Sequence, residues 1–514
     1  MKIFLYGPSG SGKSTIGREL AEQLSTPLFD IDAAIEEKIG KPITNIFTDE
    51  GEAFFRKLES ETLAEAIQSP AEVIALGGGA LLDDQNRQLA EQNGAVVCLS
   101  APLDVLASRL NGESNLRPLL AGDTLQRLEI MLERRKSHYA SFPLHLDTAN
   151  LKPDEAAWNI QVLTGRFHVS GMGSPYDVFV QPGGLESIPC LLKAHHLRAP
   201  LALVADRAVD HLYGDRLAQI LTDHQLPVQR ITFAGGETLK TIRTIETFWE
   251  GFVRGRLDRR STVIALGGGV TGDLAGFAAA TYLRGINWVC LPTTLLAMID
   301  SSLGGKTGAD LPQGKNLIGA FHAPRLVLAD PLTLSTLPER EMRGGLAEVV
   351  KHGLIGDTHL YSLCAQGLQA IQADWTALVR RAMAVKVHII QQDPYERGLR
   401  QALNLGHTIG HGVELASAFT LLHGECVAIG MVAATRISEA MGIAEKGLTE
   451  EITDTLTRLG LPVEIPASIN REDVRRAMLQ DKKRIVGKLT FVLPVKIGEV
   501  LTGVEVADWE KYIL

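Results

Sequence analysis

Residues 404–425 read NLGHTIGHGVELASAFTLLHGE and gather His407, His411, Glu414 and His423 in otherwise apolar, glycine-spaced sequence. Read as a helix over 403–415, the segment sets Asn404, His407, His411 and Glu414 at i, i+3, i+7 and i+10 on one stripe. His423 follows a short apolar stretch and can return to the same point, so imidazole ligation of a divalent metal is the chemistry suggested. Hydrogen-bonded core histidines are the alternative reading. A second chemical group lies at the other end of the chain, where GPSGSGKST satisfies G-x4-GK[ST] with Gly7, Gly12, Lys13 and Ser14. Backbone N–H groups across Gly10, Ser11, Gly12, Lys13, Ser14 and Thr15 can cradle phosphate oxygens at a helix N-terminus. Lys13 would reach the outer phosphates, and Ser14 would ligate Mg²⁺.

These groups need elements to hold them. The apolar run KIFLY precedes the glycine loop and IGRELAEQL, with helical spacing, follows it: strand, loop, helix. LKPDEAAWNIQVLTG then reads as a helix started by Pro153 and stopped by Gly165, and strand-like alternation begins beyond it. A boundary with a short tether is expected near 165. Farther on, LALVADRAV, ITFAGGETLK and STVIALGGGVTGD alternate strands with helices. Gly267, Gly269 and Gly272 form G-x-G-x-x-G after a strand, a weak signal alone. IALGGG occurs both at 74–79 and at 264–269, but the flanks differ, so two close backbone approaches explain it better than duplication.

A chain of 514 residues exceeds one hydrophobic core, and 45% hydrophobic with 22% charged residues is ordinary for an α/β protein. A net charge of −9 argues against a general nucleic-acid binder while leaving room for local basic pockets. Five scattered cysteines without a CxxC pair suit a reducing cytoplasm. Neither a signal peptide nor a membrane span is expected.

After the glycine loop come FDID with Asp30 and Asp32, FFRKLE with Arg56, ALGGGA with Gly78 and Gly79, NLRPLL with Arg117, and ERRKSHY with Arg135. In this order the first 165 residues resemble shikimate kinase, a nucleoside-monophosphate-kinase-like P-loop fold. The resemblance implies that Asp32, Arg56, Gly78, Gly79 and Arg135 hold shikimate, the arginines forking its carboxylate, and that Asp32 orients the attacking hydroxyl. It also implies that Asp30 joins Ser14 at Mg²⁺ and that Arg117 closes over ATP to stabilise phosphoryl charge. Where the family often has R-x-P-x-Y, this chain has Arg135-Lys-Ser137-His-Tyr139. A gluconate or adenylate kinase is the competing enzyme, and Asp30 as a mere helix cap is the bland alternative.

The remaining two-thirds carry ATYLRGI, LPTTLLAMIDSSLGGKTGAD, GKNLIGAFHAP, LPEREMRGGLAEVVKHG and LNLGHTIGHGVE with LLHGE. This series resembles 3-dehydroquinate synthase, which converts the sugar acid DAHP to 3-dehydroquinate with release of phosphate and with NAD⁺ reduced and reoxidised in one turnover. The implied fold is an α/β NAD-binding domain over 166–325 and a mainly helical metal- and substrate-binding domain over 326–514. The implied metal ligands, for Zn²⁺ or Co²⁺, are Glu348, His407 and His423, whereas i,i+4 spacing alone would pair His407 with His411. For the substrate the resemblance nominates Lys306, Asn316, Lys351, Lys386, Arg400, Asn404 and His411, with Asp300, Glu396 and one of Lys482 and Lys483. Lys386 and Arg400 would take the carboxylate, and Lys306, Asn404, His411 and the late lysine the phosphate. Arg284 would reach across a homodimer interface. Asp206, Glu237, Lys240, Gly268, Gly269, Val270, Asp273, Thr293, Thr294, Thr336 and Leu337 would meet NAD. The resemblance further implies that oxidation at C5 acidifies the adjacent proton and that the substrate's own phosphate can remove it, leaving the protein to position and to stabilise charge.

The expectation is therefore a fused bifunctional enzyme of aromatic amino-acid biosynthesis. Two alternatives stand beside it: a glycerol-dehydrogenase-like polyol dehydrogenase for the larger part, or one half retained only as a nucleotide-sensing module.

Overall fold

The computed structural model describes residues 2–111, 124–171, 173–484 and 489–512, and the side chains of all of these except 111, 124 and 480–484. The chain divides into two compact units, Met1–Thr164 and Gly165–Leu514. Among the described residues no helix is long and apolar enough to cross a membrane.

The smaller unit is built on a parallel sheet of β1 (Lys2–Tyr6), β2 (Leu28–Asp30), β3 (Val73–Ala75), β4 (Gly94–Ser100) and β5 (Leu144–Asp147), in the order β2-β3-β1-β4-β5. A parallel sheet must be covered on both faces, and the apolar run of β1 serves both. Phe4 and Tyr6 enter one core with Ile74 and Phe55, while Ile3 and Leu5 enter the other with Val73 and Val97. Helix α1 (Lys13–Gln23) buries Ile16, Leu20 and Ala21 in the second core, so the loop between β1 and α1 is fixed at both ends. Helices α2 (Ile43–Gln68), interrupted at Gly51, and α3 (Thr124–Ala140) carry the expected arginines.

The larger unit centres on seven strands: β6 (Arg166–Val169), β7 (Tyr176–Val180), β8 (Arg198–Asp206), β9 (Val228–Phe233), β10 (Ser261–Gly267), β11 (Asn287–Pro292) and β14 (Leu326–Ala329), ordered β6-β7-β14-β11-β10-β8-β9. Only β6 with β7 is antiparallel. Strand order reverses between β8 and β10, and the carboxyl ends at such a switch open the crevice where α/β sheets take ligands. The glycine turn from β10 into α4 (Gly269–Thr281) lies there. A hairpin of β12 (Lys306–Leu311) and β13 (Gly314–Phe321) stands apart as its own two-stranded sheet, as does the pair β15 (Thr490–Lys496) and β16 (Glu499–Glu505).

Two expectations are corrected. A division at 325/326 would cut off β14, which pairs with both β11 and β7, so the α/β part extends at least through Ala329. The helix expected over 403–415 begins instead at His407. A 3-10 turn, Leu399–Asn404, precedes it and Gly406, in the left-handed region at φ 78°, caps it, so Asn404 approaches the site from a separate segment.

Three helices carry the histidines and their carboxylate: α5 (Glu339–Gly356), α7 (His407–Ala416) and α8 (His423–Ala440), with α6 (Trp375–Gln392) packed against α5. Glycines let them touch backbone to backbone. A Cβ on Gly424 would fall 1.9 Å from Gly344 O, and one on Gly430 would fall 1.9 Å from Gly406 O. These seams set the start of α8 against α5 and its next turns against the cap of α7.

Candidate functional site

Glu348 is fully buried in α5, where an uncompensated carboxylate would be costly. Its Oε2 pairs with Lys351, one turn along the same helix. Its Oε1 has no hydrogen-bond partner and lies 3.6 Å from Nε2 of His407 and 3.6 Å from Nε2 of His423. That spacing is too long for hydrogen bonds and leaves room for an ion. Glu348, His407 and His423 offer ligand atoms within 4.8 Å of one another, which fits a divalent cation with one carboxylate and two imidazoles. His407 Nδ1 lies 3.1 Å from Leu405 O, and donating there turns the Nε2 lone pair toward the same point. His411, one turn beyond His407, belongs to a second, overlapping group with Glu414 and His423.

The buried charges of this corner compensate one another. Burial pushes Glu348 up, but Lys351 and the two imidazoles outweigh it and hold the carboxyl well below its usual value. Burial, with Lys351 nearby, takes His407 down to about 3. Burial opposes the charge on His423 too, but the Glu348 and Glu414 carboxylates bring it up to about 9.

A cavity of about 630 Å³ opens beside this corner. Its wall carries Lys306, Lys351, Lys386 and Arg400 with His407, His411 and His423, joined by Asp273, Asp300, Asn316, Glu396 and Asn404. Residues from the hairpin, α5, α6 and the 399–404 turn thus meet in one place. Lys386 is held by the carboxylate and, at 2.8 Å, by the backbone oxygen of Asp300. Glu396 accepts from Lys306 at 2.5 Å and from Asn404 at 3.0 Å, tying two of the expected phosphate ligands together. Concentrated cations around one metal corner suit a small, multiply anionic substrate.

Some of the expected nucleotide residues adjoin this cavity and others stand apart from it. Lys240 Nζ bridges Asp273 at 2.6 Å and Asn316 at 2.5 Å. Gly268, Gly269 and Asp273 line a small recess beside the main cavity. Val270 lies in the first turn of α4, and Thr293 and Thr294 follow β11, with Thr293 N donating to Gly267 O at 3.0 Å. Asp206 ends β8, where Oδ1 caps Ala208 and Val209. Thr336 contacts the Tyr213 hydroxyl at 2.6 Å and Leu337 ends its 3-10 turn, away from the cavity wall. Glu237 pairs with Lys315 at 3.2 Å. Arg284 is exposed and outside the cavity.

In the smaller unit, Lys13 Nζ donates to Gly7 O and Pro8 O at 2.9 Å each, holding the ammonium over the loop. Ser14 and Thr15 open α1 behind Gly10, Ser11 and Gly12. Asp30 caps the next helix through Ala33 N at 3.2 Å. Gly77, Gly78 and Gly79 are the convergence point: Arg135 donates to Gly78 O at 3.0 Å, the Arg56 guanidinium lies against Gly79, and Asp32 lies against Gly77. Arg117 lies outside the described residues, as do the side chains of Lys482 and Lys483.

Some participants escaped the sequence reading. Glu59, 1% exposed, anchors Arg56 at 2.7 Å, and Tyr139 joins Arg135 on Gly78 O at 2.9 Å. Lys315 ties Glu237 to Glu414. The available signal for Glu59 was its place one turn after Arg56, which alone reads as a surface pair.

The shikimate kinase family model matches residues 9–163, and the models for the N-terminal and C-terminal parts of 3-dehydroquinate synthase match 230–344 and 345–484. The 3-dehydroquinate synthase of Symbiobacterium thermophilum is 45% identical over 338 residues, 65% of this chain and 94% of that protein. The 3-dehydroquinate synthase of Synechocystis sp. is 42% identical over 342 residues, 65% of this chain and 95% of that one. Among solved structures, 2-deoxy-scyllo-inosose synthase complexed with carbaglucose-6-phosphate, NAD⁺ and Co²⁺ superposes with a TM-score of 0.61 at 28% identity, covering 65% of this chain and 94% of the other. A 2-epi-5-epi-valiolone synthase from Streptomyces hygroscopicus subsp. jinggangensis, with NAD⁺ and Zn²⁺ bound, gives 0.61 at 31% identity, covering 67% and 96%.

Proposed function

This chain belongs to the 3-dehydroquinate synthase family and carries a shikimate kinase domain ahead of it, and on that premise we propose the residue roles by which one polypeptide performs both reactions. It is a bifunctional shikimate-pathway enzyme: an ATP- and Mg²⁺-dependent phosphotransferase, and a lyase that closes DAHP to 3-dehydroquinate and releases phosphate. The two steps are not consecutive, so passing a product from one site to the other does not follow.

In the larger unit the observation that carries the reading is the cation-lined cavity meeting Glu348, His407 and His423. When bound, NAD⁺ supplies reversible oxidation of one substrate alcohol and the divalent ion polarises its hydroxyl oxygens. The protein's own groups place the substrate between them. Arg400, 3% exposed, and Lys386 grip the carboxylate. Lys306, Asn404 and His411 hold the phosphate, which then lies within reach of the proton acidified by oxidation. Lys351, locked to Glu348, steadies a neighbouring hydroxyl. An uncharged polyol would need none of this set, which disfavours the dehydrogenase alternative. The crevice at β8 and β10, with Asp206, Lys240 and Asp273 along it, takes NAD⁺, and the NAD-binding part runs through β14. Arg284 is assigned to the neighbouring site of a homodimer, and the cytoplasm is the location that suits these substrates.

In the smaller unit ATP phosphates lie on the 7–15 loop with Lys13 over them, and Ser14 with Asp30 serves Mg²⁺. Arg56 and Arg135 pair the shikimate carboxylate against Gly78 and Gly79, and Asp32 orients the hydroxyl. The test is to assay the purified chain with both substrates. DAHP should release phosphate without net NADH, and shikimate with ATP should give shikimate 3-phosphate. Net NADH from glycerol with no phosphate from DAHP would overturn the synthase assignment. Retained ATP binding without phosphorylation would reduce the smaller unit to a nucleotide sensor.

A further inference from the structure

The two imidazoles facing Glu348 are held from behind by different groups. His407 has the Leu405 carbonyl, whereas His423 Nδ1 faces Glu414 Oε2 at 3.4 Å. None of the roles assigned above uses Glu414. Its side chain is 9% exposed, and its two oxygens are divided: Oε1 accepts from Lys315 Nζ at 2.8 Å, leaving Oε2 for the histidine. Lys315 is fixed in turn by Glu237 at 3.2 Å and by the Phe419 ring, 4.4 Å from its ammonium. The carboxylate is therefore clamped from the side opposite the imidazole.

We propose that Glu414 is a positioning residue of the metal centre, accepting the Nδ1–H of His423 so that its Nε2 lone pair points to the place shared with Glu348 and His407. The inference rests on the ligand reading above. A neutral imidazole carries one proton, and only the nitrogen without it binds a cation. A carboxylate behind the ring fixes that choice and makes the ligating nitrogen a stronger donor. Glu414 sits two turns after His407 on α7, so one helix supplies a ligand and orients another. A rival role exists, because Glu414 also forms an overlapping group with His411 and His423. As a direct ligand there it would need Nδ1 of His423 unprotonated, and the two roles predict different metal behaviour.

The test uses the full chain, stripped of metal and titrated with Zn²⁺ against a chromophoric chelator. Glu414→Ala should weaken zinc binding about 10–100-fold. Glu414→Gln, whose amide oxygen still accepts a hydrogen bond but lacks charge, should fall between it and the wild type. Thermal unfolding of the metal-free variants should stay close to that of the metal-free wild type. Zinc affinity within twofold of wild type in both variants would overturn the proposal. So would a second zinc equivalent in the wild type that alone disappears in the variants, which would make Glu414 a direct ligand. His423→Ala, run in parallel, separates the two levels: retained zinc there defeats the ligand reading, while lost zinc there with normal binding in Glu414→Ala defeats only the positioning role.

Discussion

The loop of the smaller unit and the metal corner of the larger one are both built to hold charge, by opposite constructions. The first is nine consecutive residues that run from the end of a strand into the first turn of a helix, with backbone N–H groups as its working parts and Lys13 folded over the loop's own carbonyls. The second collects Glu348 from α5, His407 from α7 and His423 from α8, and depends on glycine seams between helices to bring them within reach. A contiguous site is robust to changes elsewhere in the fold. A dispersed one inherits every packing error between its helices.

The sharpest way to break this comparison is to remove one group from each site. Lys13→Ala should lower shikimate phosphorylation by about 10²–10³-fold or more and leave phosphate release from DAHP near normal. His423→Ala should do the reverse, with loss of bound zinc measured by elemental analysis. If either variant lost both activities, the units would not be independent. Next in size is Gly424→Ala, a methyl forced against Gly344. Overpacking of this kind costs about 1–3 kcal/mol, and here it should also lower zinc occupancy. Normal zinc content with reduced stability would show that the seam does not set the site.

Asp177 is a control outside the cavity. It meets Arg166 and His168 at 2.9 Å each, and although burial opposes its charge these partners bring the carboxyl from 3.8 down to about 2. A depressed folded value means stability present above the unfolded value and lost as pH falls from about 4 toward 2, roughly 2 kcal/mol in all. Thermal unfolding should show that acid loss in the wild type, and Asp177→Asn should lack it while being less stable at neutral pH. An unchanged acid profile in the variant would remove Asp177 from the account. The smallest effect expected is that of Glu59→Gln. Loosening Arg56 should raise KM for shikimate about tenfold, ~1.4 kcal/mol, with kcat changed less. A KM equal to wild type would mean that Arg56 needs no anchor.

The same contrast decides how much of each site is legible in the sequence alone. The P-loop was legible because its spacing is local and its flanking pattern unambiguous, and the strand and helix stand at Lys2–Tyr6 and Lys13–Gln23. Period alone misjudged the histidine stripe, since Gly406 starts the helix afresh and detaches Asn404 from it. It also could not choose between His411 and Glu348 as the partner of His407, because Glu348 comes from α5, a distant segment that packs on α8. Leu326–Ala329, a four-residue apolar run, offered no sign that it completes a sheet whose other strands begin far upstream. Glu414, Lys315 and Glu59 are single charged residues, ordinary by type, and only burial and mutual contact distinguish them.

The central claim is that Glu348, His407 and His423 close on one divalent ion at the edge of a cationic cavity. X-ray absorption at the zinc edge of the purified chain tests it most directly. The account predicts two imidazole nitrogens at about 2.0–2.1 Å and carboxylate oxygen at about 2.0–2.2 Å, with one histidine lost from the spectrum of His423→Ala. Sulfur in the shell, or a wild-type spectrum that survives that substitution, would contradict it.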